Sequence, residues 1–257
     1  MEKSVKKFVR NNINLKMKFS FIIPTFNEER YILKCINSIK KQAGSDFEII
    51  VVDNGSTDKT IKSVKENNVI LVEEENKGIS NARNLGASKA KGTYLCFIDA
   101  DGVLKNDWLT EVREVLGKED VTAIAGLNVF THKNLFKRFY YNIYTFFAYS
   151  SLILLKIISG KLFLPGNNLV IKRDVFSRLG GFDPYIGEDL FLSKKFWKLK
   201  NVKSFFNQKM IIYYSSRGFD EVGFLKTILF WIISSIFKVS GKNYSYKTKN
   251  NFNLTKN

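Results

Sequence analysis

An α/β fold, with a mostly parallel central sheet and helices on both faces, is predicted by three observations. Short apolar runs alternate with stretches of helical periodicity from Lys18 to about Val129. Each run is apolar at nearly every position, as strands buried on both faces are, instead of alternating with polar residues. Polar clusters follow the runs, and in sheets of this class ligands bind at the carboxyl ends of the strands.

Taken in order, Phe19–Ile23 reads as a strand and Glu28–Lys41 carries helical periodicity. Phe47–Val52 is a second strand, after which Ser56 or Thr57-Asp58 caps a helix to about Asn67. Val69–Val72 is a third strand, Ile79–Ala90 a third helix, and Tyr94–Ile98 a fourth strand bounded by Gly92 and Gly102. Asn106 or Asp107 then caps a helix to Leu116, and Val121–Ala125 is a fifth strand.

The second half changes character. Phe139–Leu155 holds no charged residue and is rich in Tyr, Phe, Leu and Ile. A membrane-spanning helix needs about 20 apolar residues, and this stretch contains Asn142, Thr145, Ser150 and Ser151. Lys133, Lys137 and Arg138 flank it on one side, Lys156 and Lys161 on the other. A helix lying in the membrane interface is therefore expected, ended by Gly160, with an ordinary core helix as the alternative. Leu164–Ile171 reads as a turn and strand, Arg173-Asp174 opens a short helix, and Leu179–Pro184 is a turn. Gly187-Glu188-Asp189 opens a helix to about Leu199, with short strands at Val202–Phe206 and Met210–Tyr214. Phe224–Phe237 reads as an apolar or amphipathic helix with Lys226 and Lys238 at its ends.

The chain has 257 residues, 45% of them apolar, and a formal net charge of +17. A chain this basic suits nucleic acid, an anionic membrane or phosphorylated small molecules. No zinc-ligand cluster and no basic run interleaved with aromatics is present, so nucleic acid is set aside in favour of membrane surface and phosphate ligands. Cys35 and Cys96 fall inside a helix and a strand and read as reduced core residues of a cytosolic protein. The basic start is followed only by a brief apolar run ending at Pro24, too short for a secretion signal.

Three polar clusters fall at strand ends: Pro24-Thr25-Phe26-Asn27-Glu28, Asp53-Asn54-Gly55-Ser56 and Asp99-Ala100-Asp101. Together they predict a ligand site, with separate loop caps as the alternative. Asp99 and Asp101 leave the tip of one buried strand, so both carboxylates reach a shared cleft. Neighbouring carboxylates repel, which raises the pKa of one unless a cation neutralises them. A hard divalent ion such as Mn2+ or Mg2+ does this; alone, the pattern fits an Asp-rich helix-capping turn equally well. Glu188-Asp189 in a first helical turn is likewise ordinary chemistry favoured by the helix dipole.

Five motifs in this order carry a family resemblance: FSFIIPTFNEER from Phe19, DFEIIVVDNGSTDKT from Asp46, NKGISNARNLGASKAKGTYLCFIDADG from Asn76, PGNNLVIKRDVFSRLGGFD from Pro165 and GEDLFLSKKFWKLKN from Gly187. The chain resembles family 2 glycosyltransferases of the GT-A fold over roughly residues 18 to 215. The resemblance implies an inverting, metal-dependent transfer from a nucleotide sugar, a UDP- or GDP-sugar, with Mn2+ or Mg2+ as cofactor. It implies that Pro24 and Thr25 line the base, that Glu28 serves the same pocket, and that Asp53 accepts hydrogen bonds from base or ribose. Arg83 matches a basic residue near the diphosphate, where a guanidinium engages phosphate in a fork. Asp101 would bind the metal, Asp99 would contact the ribose or metal-bound water, and Ala100 sits between them. Asp189 matches the general base, kept ionised by its helix N-terminus, with Glu188 orienting the acceptor or the loop. Gly166 and Asn167 resemble the loop between donor sugar and acceptor.

Many relatives carry a His beyond the acidic pair, whereas the one His here, His132, lies upstream. Arg217 stands in that downstream region as a substitute contact to the diphosphate. The Q-x-x-R-W signature of processive synthases is absent, which implies addition of one sugar. The expected organisation is a basic disordered arm (1–17), a nucleotide-sugar half (18–130), an apolar interfacial segment (131–163), an acceptor half with the base (164–218), an apolar or amphipathic helix (219–240) and a disordered tail (241–257). A lipid or lipid-linked glycan acceptor at an anionic membrane surface follows, with a peripheral cytoplasmic location at the inner face of the cell membrane. A soluble acceptor and a catalytically silent sugar-nucleotide-binding protein are the competing readings. Liposome flotation separates the two acceptors, and donor hydrolysis separates both from the silent protein.

Overall fold

The apolar runs form the middle of one eight-stranded sheet. The computed structural model describes residues 19–224, 226, 227 and 229. Its strands are β1 (Phe19–Thr25), β2 (Phe47–Asp53), β3 (Ile70–Glu73), β4 (Tyr94–Ile98), β5 (Gly102–Leu104), β6 (Ala123–Thr131), β7 (Asn168–Lys172) and β8 (Ser204–Ser215). The helices are α1 (Ile32–Lys40), α2 (Thr60–Lys65), α3 (Ile79–Lys89), α4 (Trp108–Lys118), α5 (Leu135–Ser159), α6 (Arg173–Arg178), α7 (Glu188–Phe196) and α8 (Arg217–Val222). The expected arm 1–17, the tail 241–257 and most of Phe224–Phe237 lie outside the described residues.

Alternation along β1 sets up two cores, because successive side chains point to opposite faces. Phe19, Phe21 and Ile23 join Ile32, Cys35, Ile36 and Ile39 of α1 and Trp108, Leu109 and Val112 of α4. Ile22 faces the other way, into a layer with Phe97, Ala82 of α3, Phe176 of α6 and Leu192 of α7. Both cysteines are free and buried.

The strand order is β3-β2-β1-β4-β7-β6-β8-β5. The sheet is more mixed than the alternation implies. Four pairings are parallel, while β4–β7, β6–β7 and β5–β8 are antiparallel. This topology decides where the site forms. The carboxyl ends of β1, β2, β4, β6 and β8 share one edge, and reversal of β7 brings the loop before Asn168 to that same edge. Pro24 is tolerated inside β1 because pairing with β4 stops at Ile22↔Phe97, so its missing N–H costs no ladder bond.

Three elements differ from expectation. Gly102–Leu104 is a short strand, and the two expected C-terminal strands are one twelve-residue strand, β8. Its register against β6 jumps from Gly126↔Asn207 to Leu127↔Ile211, so an irregularity separates two regular pieces. The apolar helix α5 runs 25 residues, longer than Phe139–Leu155. It ends as expected at Gly160, whose left-handed φ of 69° lets its N–H reach Lys156 O. Asn142, Thr145 and Ser151 inside α5 have local or inward partners. The Asn142 side chain bonds both Phe130 N–H (3.0 Å) and Phe130 O (2.9 Å) on β6, and the Tyr149 hydroxyl accepts from Asn128 N–H. Phe136, Phe139, Phe146, Phe147, Ile157 and Ile158 are exposed.

Candidate active site

Asp99 directly follows β4, and its carbonyl accepts from Gly102 N–H at 2.9 Å, which turns the chain directly into β5. Ala100 is buried in this turn, and the Asp101 side chain is only 7% exposed. Arg217, the first residue of α8, reaches in from the far side of the sheet edge. Its Nε lies 3.3 Å from Asp101 Oδ2, its Nη2 pairs with Glu28, and its guanidinium lies 4.5 Å over the Tyr31 ring. The second oxygen of Glu28, Oε2, is buried without a hydrogen-bond partner among the described residues. Burial pushes the Asp101 carboxyl up to about 7, with Asp99 and Glu28 adding to the effect and Arg217 opposing it. Burial also raises Glu28, against the pull of Arg217.

Arg83, on α3, joins the two acidic motifs. It is 2% exposed; Nη2 binds Asp99 Oδ1 at 2.7 Å and Nη1 binds Glu188 Oε1 at 2.5 Å. Burial works against its charge, but Asp99, Glu188 and Asp189 outweigh that and hold the guanidinium protonated. Gly166 lies against it: a Cβ there would stand 2.7 Å from Nη1, so the ion-paired guanidinium would have to shift. Both terminal nitrogens of Arg83 thus bind carboxylates inside the protein, each using one of its two N–H groups.

Asp189 lies in the first turn of α7, with its Oδ1 accepting from Leu190 N–H at 2.8 Å. The backbone of Gly166 adds a second hydrogen bond. Even so, its carboxyl is raised well above the ordinary range, first by burial and then by Glu188, with Arg83 and the backbone bonds opposing. Burial and the adjacent like charge of Glu188 thus oppose the charged form that the helix N-terminus and the Leu190 and Gly166 backbone favour. Asn167 is fixed on the same edge, its side chain bonded to Asn128 at 2.9 Å and its carbonyl to the Tyr214 hydroxyl.

The first-strand cluster sits next door. Thr25 and Asp53 are buried, and Asp53 Oδ2 accepts from Gly55 N–H (2.9 Å) and Ser56 N–H (2.8 Å). Among the described residues Oδ1 has a long contact, 3.4 Å, to the Thr25 hydroxyl, which leaves it acceptor capacity. Pro24 is buried beneath them, while Phe26 stays exposed under the Lys77 ammonium at 5.3 Å.

The structure therefore gathers Glu28, Asp99, Asp101 and Arg217 in one cluster and links it through Arg83 to Glu188 and Asp189. His132 is not in it; it lies 3.3 Å from Asp220 of α8. Sequence reasoning missed Tyr31 and Tyr214. Tyr31 stands three residues after Glu28 in one turn, a spacing that could have found it. Tyr214 follows Met210 and Ile212 at alternate, inward positions of β8.

Among the described residues no three His, Cys, Asp or Glu side chains form a ready-made metal cage. A divalent cation nonetheless suits the donor set present: hard carboxylate oxygens, Asp101 held buried among other acids, and the orphaned Glu28 Oε2. Such a cation would draw its remaining oxygens from a phosphorylated ligand.

The profile described as "Glycosyl transferase family 2" matches residues 20–180. Curated relatives include the glycosyltransferase GlyA of Streptococcus pneumoniae, 26% identical across 78% of this chain and 31% of the relative. Glycosyltransferase AglE of Haloferax volcanii is 29% identical across 68% and 60% respectively. The chain thus spans from about a third to less than two thirds of the length of these relatives. Among solved structures, S. aureus TarS in complex with UDP-GlcNAc superposes with a TM-score of 0.63 at 20% identity, covering 91% of this chain and 69% of that one. The mannosyltransferase PcManGT from Pyrobaculum calidifontis, with GDP-Man and Mn2+, gives 0.62 at 21% identity over 86% and 64%. At that level of identity the likeness is one of fold.

Proposed function

The chain belongs to glycosyl transferase family 2, and on that footing we propose that it transfers a single sugar, with inversion, from a UDP- or GDP-sugar to a lipid or lipid-linked glycan at the cytoplasmic membrane face. One observation carries the reading. Arg83 binds Asp99 and Glu188 at once, so the acidic pair after β4 and the candidate base beside Glu188 face one cleft. The ligands bound in the two solved neighbours, UDP-GlcNAc and GDP-Man with Mn2+, support the donor class.

In this reading residues 18–130 form the donor half and 164–218 the acceptor half, with the apolar segment 131–163 between them. Pro24, Thr25 and the open oxygen of Asp53 meet the base and ribose. Asp101 and Asp99 hold Mn2+ or Mg2+, which when bound would offset charge growing on the departing nucleoside diphosphate. Arg83 fixes the spacing of the acidic groups, and Arg217 is the cation on hand for the diphosphate. Asp189 takes the acceptor's proton. Its raised proton affinity suits that role, because a base poised near working pH accepts a proton more readily than an ordinary carboxylate. Gly166 and Asn167 separate the donor sugar from the acceptor.

The lipid acceptor rests on α5. It is long and apolar enough to cross a membrane by length and composition. Its links to Phe130, Asn128 and Asp220 tie it to the folded domain at several points, which favours lying in the interface over spanning. The test is a panel of nucleotide sugars with Mn2+ or Mg2+, read by thermal stabilisation and then by transfer to polyprenyl-phosphate or glycolipid in anionic vesicles. Stabilisation by a nucleoside diphosphate sugar with transfer to lipid is expected. Transfer only to soluble acceptors, together with no vesicle binding, sinks the lipid reading.

A further inference from the structure

Arg217 has a place in the cluster that a simple diphosphate contact does not require. Its side chain is 18% exposed, and the guanidinium sits between Glu28 of the first-strand loop and Asp101 of the acidic turn, closed on one face by Tyr31. Three segments distant in sequence are thereby held by one cation, at the position where Asp101 would meet a divalent ion. The mount is firm. Asp220, one turn further along α8, takes bonds from Lys137 Nζ (2.7 Å), the Tyr141 hydroxyl (3.1 Å) and Ser216 Oγ (2.9 Å). Phe219 stacks on Tyr141 at 5.1 Å.

We propose that Arg217 is a resident counter-cation of the metal site. It neutralises Glu28 and Asp101 while no divalent ion is present and gives up Asp101 when one arrives with a diphosphate. This rests on the donor reading above. A guanidinium and a divalent ion cannot both sit at full charge against Asp101 without repulsion, so the metal alone binds weakly. The diphosphate supplies the negative charge that lets Arg217 and the metal coexist. Metal and nucleotide therefore bind as a pair.

The experiment measures Mn2+ binding by electron paramagnetic resonance, with and without UDP or GDP, in wild type, Arg217→Gln and Arg217→Lys. Without nucleotide, Arg217→Gln should bind Mn2+ about tenfold more tightly than wild type, the scale of a single charge acting on a divalent ion a few ångström away in a water-like medium. Arg217→Lys should stay near wild type. Adding nucleotide should tighten Mn2+ binding in wild type more than in Arg217→Gln. In wild type itself, diamagnetic Mg2+ with nucleotide should shift the Arg217 Nε–H resonance, which Arg217→Lys identifies by its loss. Equal Mn2+ affinity in wild type and Arg217→Gln, or an unmoved resonance, overturns the counter-cation role and leaves the donor reading standing. No Mn2+ binding by any of the three proteins, even with nucleotide, overturns both.

Discussion

Asp101→Asn should make the protein more resistant to unfolding in EDTA at alkaline pH, although it should abolish metal-dependent transfer. The carboxyl stands at about 7 in the folded chain against an ordinary 3.8, chiefly because it is buried. The folded state therefore holds this proton more tightly than the unfolded one. Below the ordinary value both states are protonated and nothing is lost. Between that value and about 7 only the unfolded chain releases the proton, so stability falls as pH rises, and above about 7 the loss is complete. The gap of about three pH units corresponds to roughly 4 kcal/mol at about 1.36 kcal/mol each, an upper figure since local rearrangement relieves part of it. Asparagine has nearly the same shape and never ionises. Comparing variant and wild type at about pH 4.5 and again at about pH 8 cancels every pH-independent effect of the substitution and should leave about 2–3 kcal/mol.

For a chain of this length that difference is roughly 4–12 °C in Tm. The assay is thermal or urea unfolding in EDTA at the two pH values, repeated with excess Mn2+ or Mg2+. The cation should recover stability in wild type at the higher pH and do little for the variant. Parallel pH profiles for the two proteins in EDTA would show that Asp101 is not a strained carboxylate awaiting a cation, and the argument for its metal role would fail.

Asp189→Asn should cut transfer by about two to four orders of magnitude with donor binding retained; joint loss of donor affinity marks a structural cap instead. Because Asp189 is raised, wild-type transfer should climb with pH as that carboxyl ionises, and a flat profile through the neutral range counts against it as the base. Arg83→Met strands two carboxylates around a buried site and should cost about 3–5 kcal/mol by urea unfolding; Arg83→Lys should rescue only part, since one ammonium cannot fork to Asp99 and Glu188 together. Phe146→Glu with Phe147→Glu, both on the exposed face of α5, should abolish flotation with anionic liposomes and leave donor hydrolysis intact. Unchanged flotation would remove α5 from the membrane argument.

The parts of the site legible in sequence are those whose signal is local. Asp99-Ala100-Asp101 could be placed because a buried strand and a glycine bracket it, and Glu188-Asp189 because a helix start marks it. What joins them was not legible. Arg83 and Glu188 are 105 residues apart, and the loop residue Gly166 that lies against the guanidinium comes from a third segment. The direction of β7 was equally hidden, since a fully buried strand looks the same whichever way it runs. β5 is three residues long, below the length at which periodicity registers. The start of α5 was missed because Lys137 and Arg138 ended the apolar count, although in the structure they belong to its first turns and Lys137 reaches across to Asp220.

The two arginines of the cleft have opposite physical situations, and the difference separates frame from moving part. Arg83 is almost fully enclosed, and each terminal nitrogen is bound to a carboxylate from a different motif. Removing it from either partner leaves an uncompensated charge in a desolvated place, so it stays where it is. Arg217 is more exposed, enters from a six-residue helix at the sheet edge, and faces an acid that gains from any other cation offered to it. Its neighbour Asp220 is tied to Lys137 and Tyr141 at the start of α5, whose outer face is a row of exposed aromatics. A change at the start of α5 reaches Arg217 through Asp220, which Lys137 and Tyr141 bind directly. A surface contact at the start of α5 is therefore expected to be felt at Arg217, the movable arginine, before it is felt at the bridge that holds the acidic motifs together.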